Sequence, residues 1–174
     1  DDKYLFSVIQ NHPQLKVIVA PHELHDDQKM NWEKEFNDQF VLIGDLDSSD
    51  QKNQRVLYVD QIGLLSKLYR FATVAYIGGG FGKAVHNTLE AAVYGIPVIF
   101  GPENKRFQEI QELKRLGVGI EVKNGLQLSE AIDKAIGDTS YRLQVKDSTS
   151  SFFENQRGSS DKIVDWVHQV LKNK

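Results

Sequence analysis

Short apolar runs alternate with amphipathic stretches along the whole chain, and nothing else in the sequence restricts the fold as strongly. The runs fall at residues 16–20, 40–43, 56–59, 74–77, 98–100 and 119–122. They are rich in β-branched and aromatic residues and are apolar at successive positions rather than at every second one. That pattern suits strands covered on both faces, as in a parallel sheet. Helical spacing occupies the intervals near 26–37, 63–71, 87–94, 105–116 and 129–136. A final helix, about 158–173, sets Ile163, Val167, Val170 and Leu171 on one face behind a Gly158-Ser159-Ser160-Asp161 cap. Strand–helix alternation of this kind predicts an α/β fold, a doubly wound, mostly parallel sheet with helices on both faces. Gly95-Ile96-Pro97 and Gly117-Val118-Gly119 punctuate it, glycine closing a helix and proline barring its continuation. Residues 1–10 read as the end of a helix running into Pro13, so the chain is expected to be one half of a larger protein.

With 174 residues the chain fits one domain, 1–174, able to bury a real core. Its net charge of −3 argues against a dedicated nucleic-acid binder, which would normally carry a basic face. The absence of cysteine excludes a disulfide scaffold, a Cys-ligated zinc site and a thiol nucleophile. Every apolar run is far shorter than the roughly 18 residues that cross a bilayer, and no signal-peptide pattern opens the chain. A soluble domain is expected.

The most informative segment follows the fourth run. Ile77-Gly78-Gly79-Gly80-Phe81-Gly82-Lys83-Ala84-Val85-His86-Asn87-Thr88-Leu89-Glu90 takes a strand through a glycine run into a helix. Residues without side chains let the backbone approach a ligand, and the unpaired N–H groups of a new helix favour an anion. In an open α/β sheet ligands sit beyond the carboxyl ends of strands, so the loop is expected to take a nucleotide phosphate. It is not a Walker loop: the spacing is one residue short and Ala84 stands where a hydroxyl is needed. It is not a dinucleotide fingerprint either, because Lys83 stands where that pattern has its third glycine. Glu90, three residues after Asn87, lies on the same side of the first helical turn. A carboxylate beside a phosphate is useful if it accepts hydrogen bonds from ribose hydroxyls, and that role is assigned to it.

These motifs resemble a known family. Gly78-Gly79-Gly80-Phe81, His86-Asn87-Thr88-Leu89-Glu90 and the run from Gly95 through Gly101-Pro102 are similar to the C-terminal half of the 3-deoxy-D-manno-octulosonic acid (Kdo) transferases. So are Val59-Asp60-Gln61-Ile62-Gly63-Leu64-Leu65 upstream, Val19-Ala20-Pro21-His22 before it, and Phe107-Gln108-Glu109-Ile110 downstream. The resemblance implies the C-terminal, Rossmann-like half of a two-domain GT-B glycosyltransferase. Its function would be to bind CMP-Kdo for transfer of Kdo to a lipid A precursor in lipopolysaccharide synthesis, with inversion and without cofactor or metal. It also implies an absent N-terminal domain that carries the acceptor site, the general base and the membrane association, at the cytoplasmic face of the bacterial inner membrane. Carried over by position, Gly78, Gly79, Gly80 and Phe81 would line the phosphate and sugar, with His86 beside them. Asn87 would face the phosphate and Glu90 the ribose, while Ile62 and Gly63 would present backbone to the cytosine. His22 stands where the family loop commonly has an arginine, and Ala84-Val85 where it often has glycines. Another GT-B enzyme, a UDP-sugar epimerase-like domain and a non-catalytic α/β module are the alternatives.

Other clusters lead elsewhere. His22-Glu23-Leu24-His25 has the wrong spacing for a helical zinc pair. Asp45, Asp47 and Asp50 open like a calcium loop but lack its glycine and closing glutamate, so a solvated acidic loop is expected. Lys105 and Arg106 could neutralise a donor charge but read first as surface cations. Trp166 and His168 are read as helix packing and surface.

Overall fold

The structure, a computed structural model, describes residues 1–46, 53–82, 85–156 and 158–172. Six strands are found among them, one on each apolar run: β1 (Val17–Val19), β2 (Phe40–Leu42), β3 (Val56–Tyr58), β4 (Ala75–Ile77), β5 (Val98–Phe100) and β6 (Gly119–Glu121). The helices are α1 (Asp2–Asn11), α2 (Asp26–Phe36), α3 (Leu65–Leu68), α4 (Leu89–Ala92), α5 (Gln108–Arg115), α6 (Gly125–Gly137), α7 (Thr139–Gln156) and α8 (Ser159–Lys172). All strand pairs are parallel, and the α/β architecture with helices on both sides is borne out. Hydrogen bonding divides the strands into two three-stranded sheets, ordered β1-β3-β2 and β4-β5-β6.

Burial refines the strand argument. Among the described strands β5 alone has every residue fully covered: Val98, Ile99 and Phe100 are each 0% exposed. Its alternation splits them between two cores. Val98 and Phe100 pack with Ile110, Leu113, Val118 and Val145, whereas Ile99 packs with Val8, Val122, Leu128 and Ile132. A third core under the first sheet gathers Ile9, Trp32, Phe36, Val56 and Tyr58. Neighbouring residues of α1, Val8 and Ile9, therefore enter different cores, and this helix ties the two sheets together. The more peripheral strands are less covered, and Ile18 of β1 is exposed.

Helix ends depart from the periodicity where local chemistry intervenes. α6 starts four residues earlier than the apolar spacing indicates, at Gly125. Asn124 caps it by accepting from the Gln127 amide at 3.0 Å, while the Gln127 side chain accepts from the Lys123 amide at 2.8 Å. α4 is a single turn, shorter than the 87–94 expectation, and a positive-φ Gly95 closes the segment after it. α5 begins only at Gln108, after a turn at 102–106. The long α7 is absent from the sequence reading. On α8, Ile163, Val164, Trp166, Val167, Val170 and Leu171 are exposed, so the packing role expected for Trp166 is not met within this chain. The Ser159-Ser160-Asp161 cap lies outside the described side chains. No helix among the described residues is long and apolar enough to cross a membrane.

Candidate functional site

The loops that follow β1, β3 and β4 leave the carboxyl ends of parallel strands, where an α/β sheet presents ligand-binding groups. Beyond β4 the chain turns tightly. Gly79 has φ +87°, a conformation that side chains disfavour, and its carbonyl accepts from the Gly82 amide at 3.0 Å. The Gly78 carbonyl then accepts from the His86 amide at 3.2 Å, so the loop closes on itself before α4. The Gly79 amide donates to the Asp1 carboxylate at 2.8 Å. A loop N–H thus holds an anionic oxygen of this chain.

Gly80 has a different task. It is buried, and a Cβ there would come within 2.5 Å of the Gly101 amide nitrogen. Its carbonyl accepts from the Glu103 amide at 3.0 Å. The glycine loop and the Gly101-Pro102 loop after β5 are thus pressed backbone to backbone. Asn104, completely buried, secures the second loop. Its Nδ2 donates to the Gly101 carbonyl at 2.9 Å and to Glu121 at 3.0 Å, and Glu121 also receives Lys114 at 2.6 Å. The sequence reading missed Asn104; its position just past Gly-Pro was the available signal. Phe81 turns towards α1, its ring 4.9 Å from that of Tyr4.

Asn87 and Glu90 are exposed and joined. The Asn87 Oδ1 accepts from the amide of Leu89, the first residue of α4, at 3.1 Å, while its Nδ2 donates to Glu90 at 3.0 Å. Glu90 therefore faces outward, as its assigned role requires. Tyr69 lies close to it: burial, followed by the Glu90 charge, pushes the phenol up to about 12. Because α4 is one turn long, few peptide dipoles align behind it, and the helix dipole adds little there.

The fold brings two distant expectations together. His22, on the loop after β1, stacks on His86, beyond the glycine loop, with ring centroids 4.1 Å apart and planes 24° apart. His25 is engaged elsewhere, 2.8 Å from Glu23. Ile62 is 92% exposed beside Gly63, whose φ is +86°. No hydrogen bond or ring contact among the described residues links those two to the His22–His86–Asn87–Glu90 group. Lys105 and Arg106 are exposed, and the Arg106 guanidinium lies 5.1 Å from the Phe107 ring centre. Asp45 sits in a short 3-10 turn (Ile43–Asp45), while Asp47 and Asp50 lie outside the described residues, as do Lys83 and Ala84.

Parallel strands ending in a glycine loop, with a carboxylate one turn beyond, define a class: an α/β domain that presents backbone and an acidic side chain at the carboxyl edge of its sheet. No protein-family model matches the chain. Its relatives are glycosyltransferases. A bifunctional glycosyltransferase/methyltransferase of Fusobacterium nucleatum is 28% identical over 99% of this chain and 27% of its own length. More particularly, they include 3-deoxy-D-manno-octulosonic acid transferases. That of Rickettsia prowazekii is 27% identical over 98% of this chain and 34% of the relative, and that of Aquifex aeolicus is 41% identical over 42% and 21%. The C-terminal CMP-Kdo binding domain of WaaA from Acinetobacter baumannii shares the fold, with a TM-score of 0.73 at 20% identity over 86% of this chain and 79% of that one. The resemblance carried by the motifs is borne out over nearly the whole chain, which spans about a third or less of the length of the relatives it matches.

Proposed function

We propose that this chain is the CMP-Kdo-binding part of a Kdo transferase. The observation that carries the reading is the outward-facing Asn87–Glu90 pair at the carboxyl end of β4, beside a glycine loop whose Gly79 amide already takes a carboxylate. In this reading Glu90 accepts from the ribose hydroxyls and Asn87 faces the phosphate. Gly78 and Gly79 offer backbone, the Gly79 amide exchanging the Asp1 carboxylate for the phosphate, and Ile62-Gly63 flanks the base.

The reaction breaks the bond between Kdo and the CMP phosphate while a lipid A precursor hydroxyl attacks from the opposite side. The departing phosphate gains negative charge as that bond breaks. Loop donors that meet the phosphate as this charge grows would stabilise the transition state more than the ground state. The general base, the acceptor site and the association with the bacterial inner membrane are assigned to parts of the protein outside this chain. Kdo transfer by this chain alone is therefore not expected, and its detection would place the base here.

Calorimetric titration of the 174-residue chain tests the reading. CMP is expected to bind in preference to UMP and UDP. The reverse order would indicate a different sugar-nucleotide enzyme, and no saturable binding would reduce the loop to a structural turn.

A further inference from the structure

The His22–His86 stack has a property that nucleotide binding alone does not explain. Two imidazoles from loops of different sheets lie face to face at 4.1 Å, and both residues are exposed. Neither ring has a carboxylate partner in an ion pair among the described residues. The contrast with the other loop histidine is informative, since His25 is held by Glu23 at 2.8 Å. Stacked imidazoles can be neutral together, but protonating them places like charges in contact, at a cost that rises as the dielectric falls. An anion at the ring edges removes that cost. We infer that His22 and His86 form a proton-coupled anion seat, in which a nucleotide phosphate binds with uptake of a proton by the pair. The inference rests on the proposed nucleotide site for the identity of the anion, but not for the seat itself.

Electrostatics around the pair support this direction. Burial, and then the charge of His22, holds His86 below the ordinary imidazole value of 6.5. On the β1 side the nearby titratable groups are Glu23 and His25, with Asp26 and Asp27 opening α2. The Glu23 carboxylate is held low first by its hydrogen bond from His25 and, among lesser causes, by the charge of His22. On the other side the polar neighbours in sequence are Asn87 and Glu90, which bond to each other. Without ligand His86 is therefore harder to protonate than an ordinary imidazole. A bound anion favours the charged form and raises its titration midpoint, so affinity must rise as pH falls.

Two probes separate the seat from the nucleotide reading. Sulfate keeps its charge across the working range, so ring-proton NMR of the free chain between pH 5 and 8 reads the seat directly. Sulfate is expected to raise the midpoints of His86 and His22 but not that of His25; unchanged midpoints overturn the seat. The methyl ester of CMP, whose phosphate charge is fixed, is then titrated calorimetrically at pH 5.5 and 8 in buffers of different ionisation heat. Affinity is expected to be about tenfold higher at pH 5.5, with net proton uptake. His22→Arg should bind with little pH dependence, and His86→Gln should take up fewer protons. PH-independent binding of the ester by the unaltered chain overturns the seat and leaves the nucleotide reading standing. A sulfate response without ester binding supports the seat and removes the nucleotide reading.

Discussion

Asn87 and Glu90 show how much a single side chain is asked to do in this site. Asn87 accepts from the Leu89 amide with one atom and donates to the Glu90 carboxylate with another, so in the proposed role this carboxylate is held in place before a ligand arrives. Removing a charged acceptor of that kind costs roughly 1–3 kcal/mol. Glu90→Ala is accordingly expected to weaken CMP binding about 5- to 150-fold in calorimetry, with little change in melting temperature. Unaltered affinity would end the ribose assignment. Gly80 tests the packing side of the same loop. Alanine there meets Gly101 backbone at 2.5 Å, whereas at Gly82 the nearest atom, the Gly79 carbonyl oxygen, is 3.7 Å away. Gly80→Ala should destabilise the fold by about 1–3 kcal/mol in urea melts, and Gly82→Ala by far less.

At the scale of elements, α5 and β6 hold the second loop through Lys114, Glu121 and Asn104. The Lys114 hydrogen bond keeps Glu121 below its ordinary value of 4.5; burial opposes that shift, and the Asn104 hydrogen bond adds to it. A lowered carboxyl value means that the folded state holds the proton less tightly than the unfolded chain does. This contribution is therefore present above pH 4.5 and is lost as pH falls through the folded value. Glu121→Gln is expected to cost on the order of 1 kcal/mol at pH 7 and to show a narrower deficit in acid, below the ordinary value of 4.5. Urea melts at pH 7 and 3.5 compare the two, and an unchanged deficit would remove Glu121 as the acid-sensitive group.

This scale also shows where periodicity stops being informative. All six strands are legible because their apolar runs are covered by packing. α7 is not, because its buried side is only Tyr141, Val145 and Thr149 in a stretch rich in serine and threonine. Spaced four apart, these make a narrow stripe whose last member is polar: Thr149 satisfies its hydroxyl on the Val145 and Lys146 carbonyls. α8 errs in the opposite direction, with a strong apolar stripe and no cover.

Across the whole molecule, α1 joins the two sheets. Beyond Val8 and Ile9, its carboxyl end is held from both sides. Arg55 donates to the Ile9 and His12 carbonyls at 2.9 and 3.1 Å, and buried His12 reaches Asp133 of α6 at 3.0 Å. Ser129 Oγ lies 3.4 Å from the same His12 ring nitrogen that meets Asp133, while the other ring nitrogen meets the Val8 carbonyl at 2.7 Å. A nucleophilic triad needs the serine and the carboxylate on different nitrogens, so this cluster is a tether. Ile9→Ala is expected to cost about 2–5 kcal/mol and to speed amide exchange in β1–β3 more than in β4–β6. Equal acceleration in both sheets would show that they unfold as one unit.

The sequence by itself determined the strands, the order of strand and helix, and the chemistry placed at strand ends: a glycine run, Asn87 and Glu90, His22. Those are local properties, written in runs of apolar residues and in residue types within a few positions of one another. Only the tertiary structure decided that His22 meets His86, that Gly80 lies against Gly101, that Asp1 takes the Gly79 amide and that α1 divides its side chains between two cores. Such contacts join segments far apart in the chain. Their geometry follows from how whole faces pack, and no single segment encodes that.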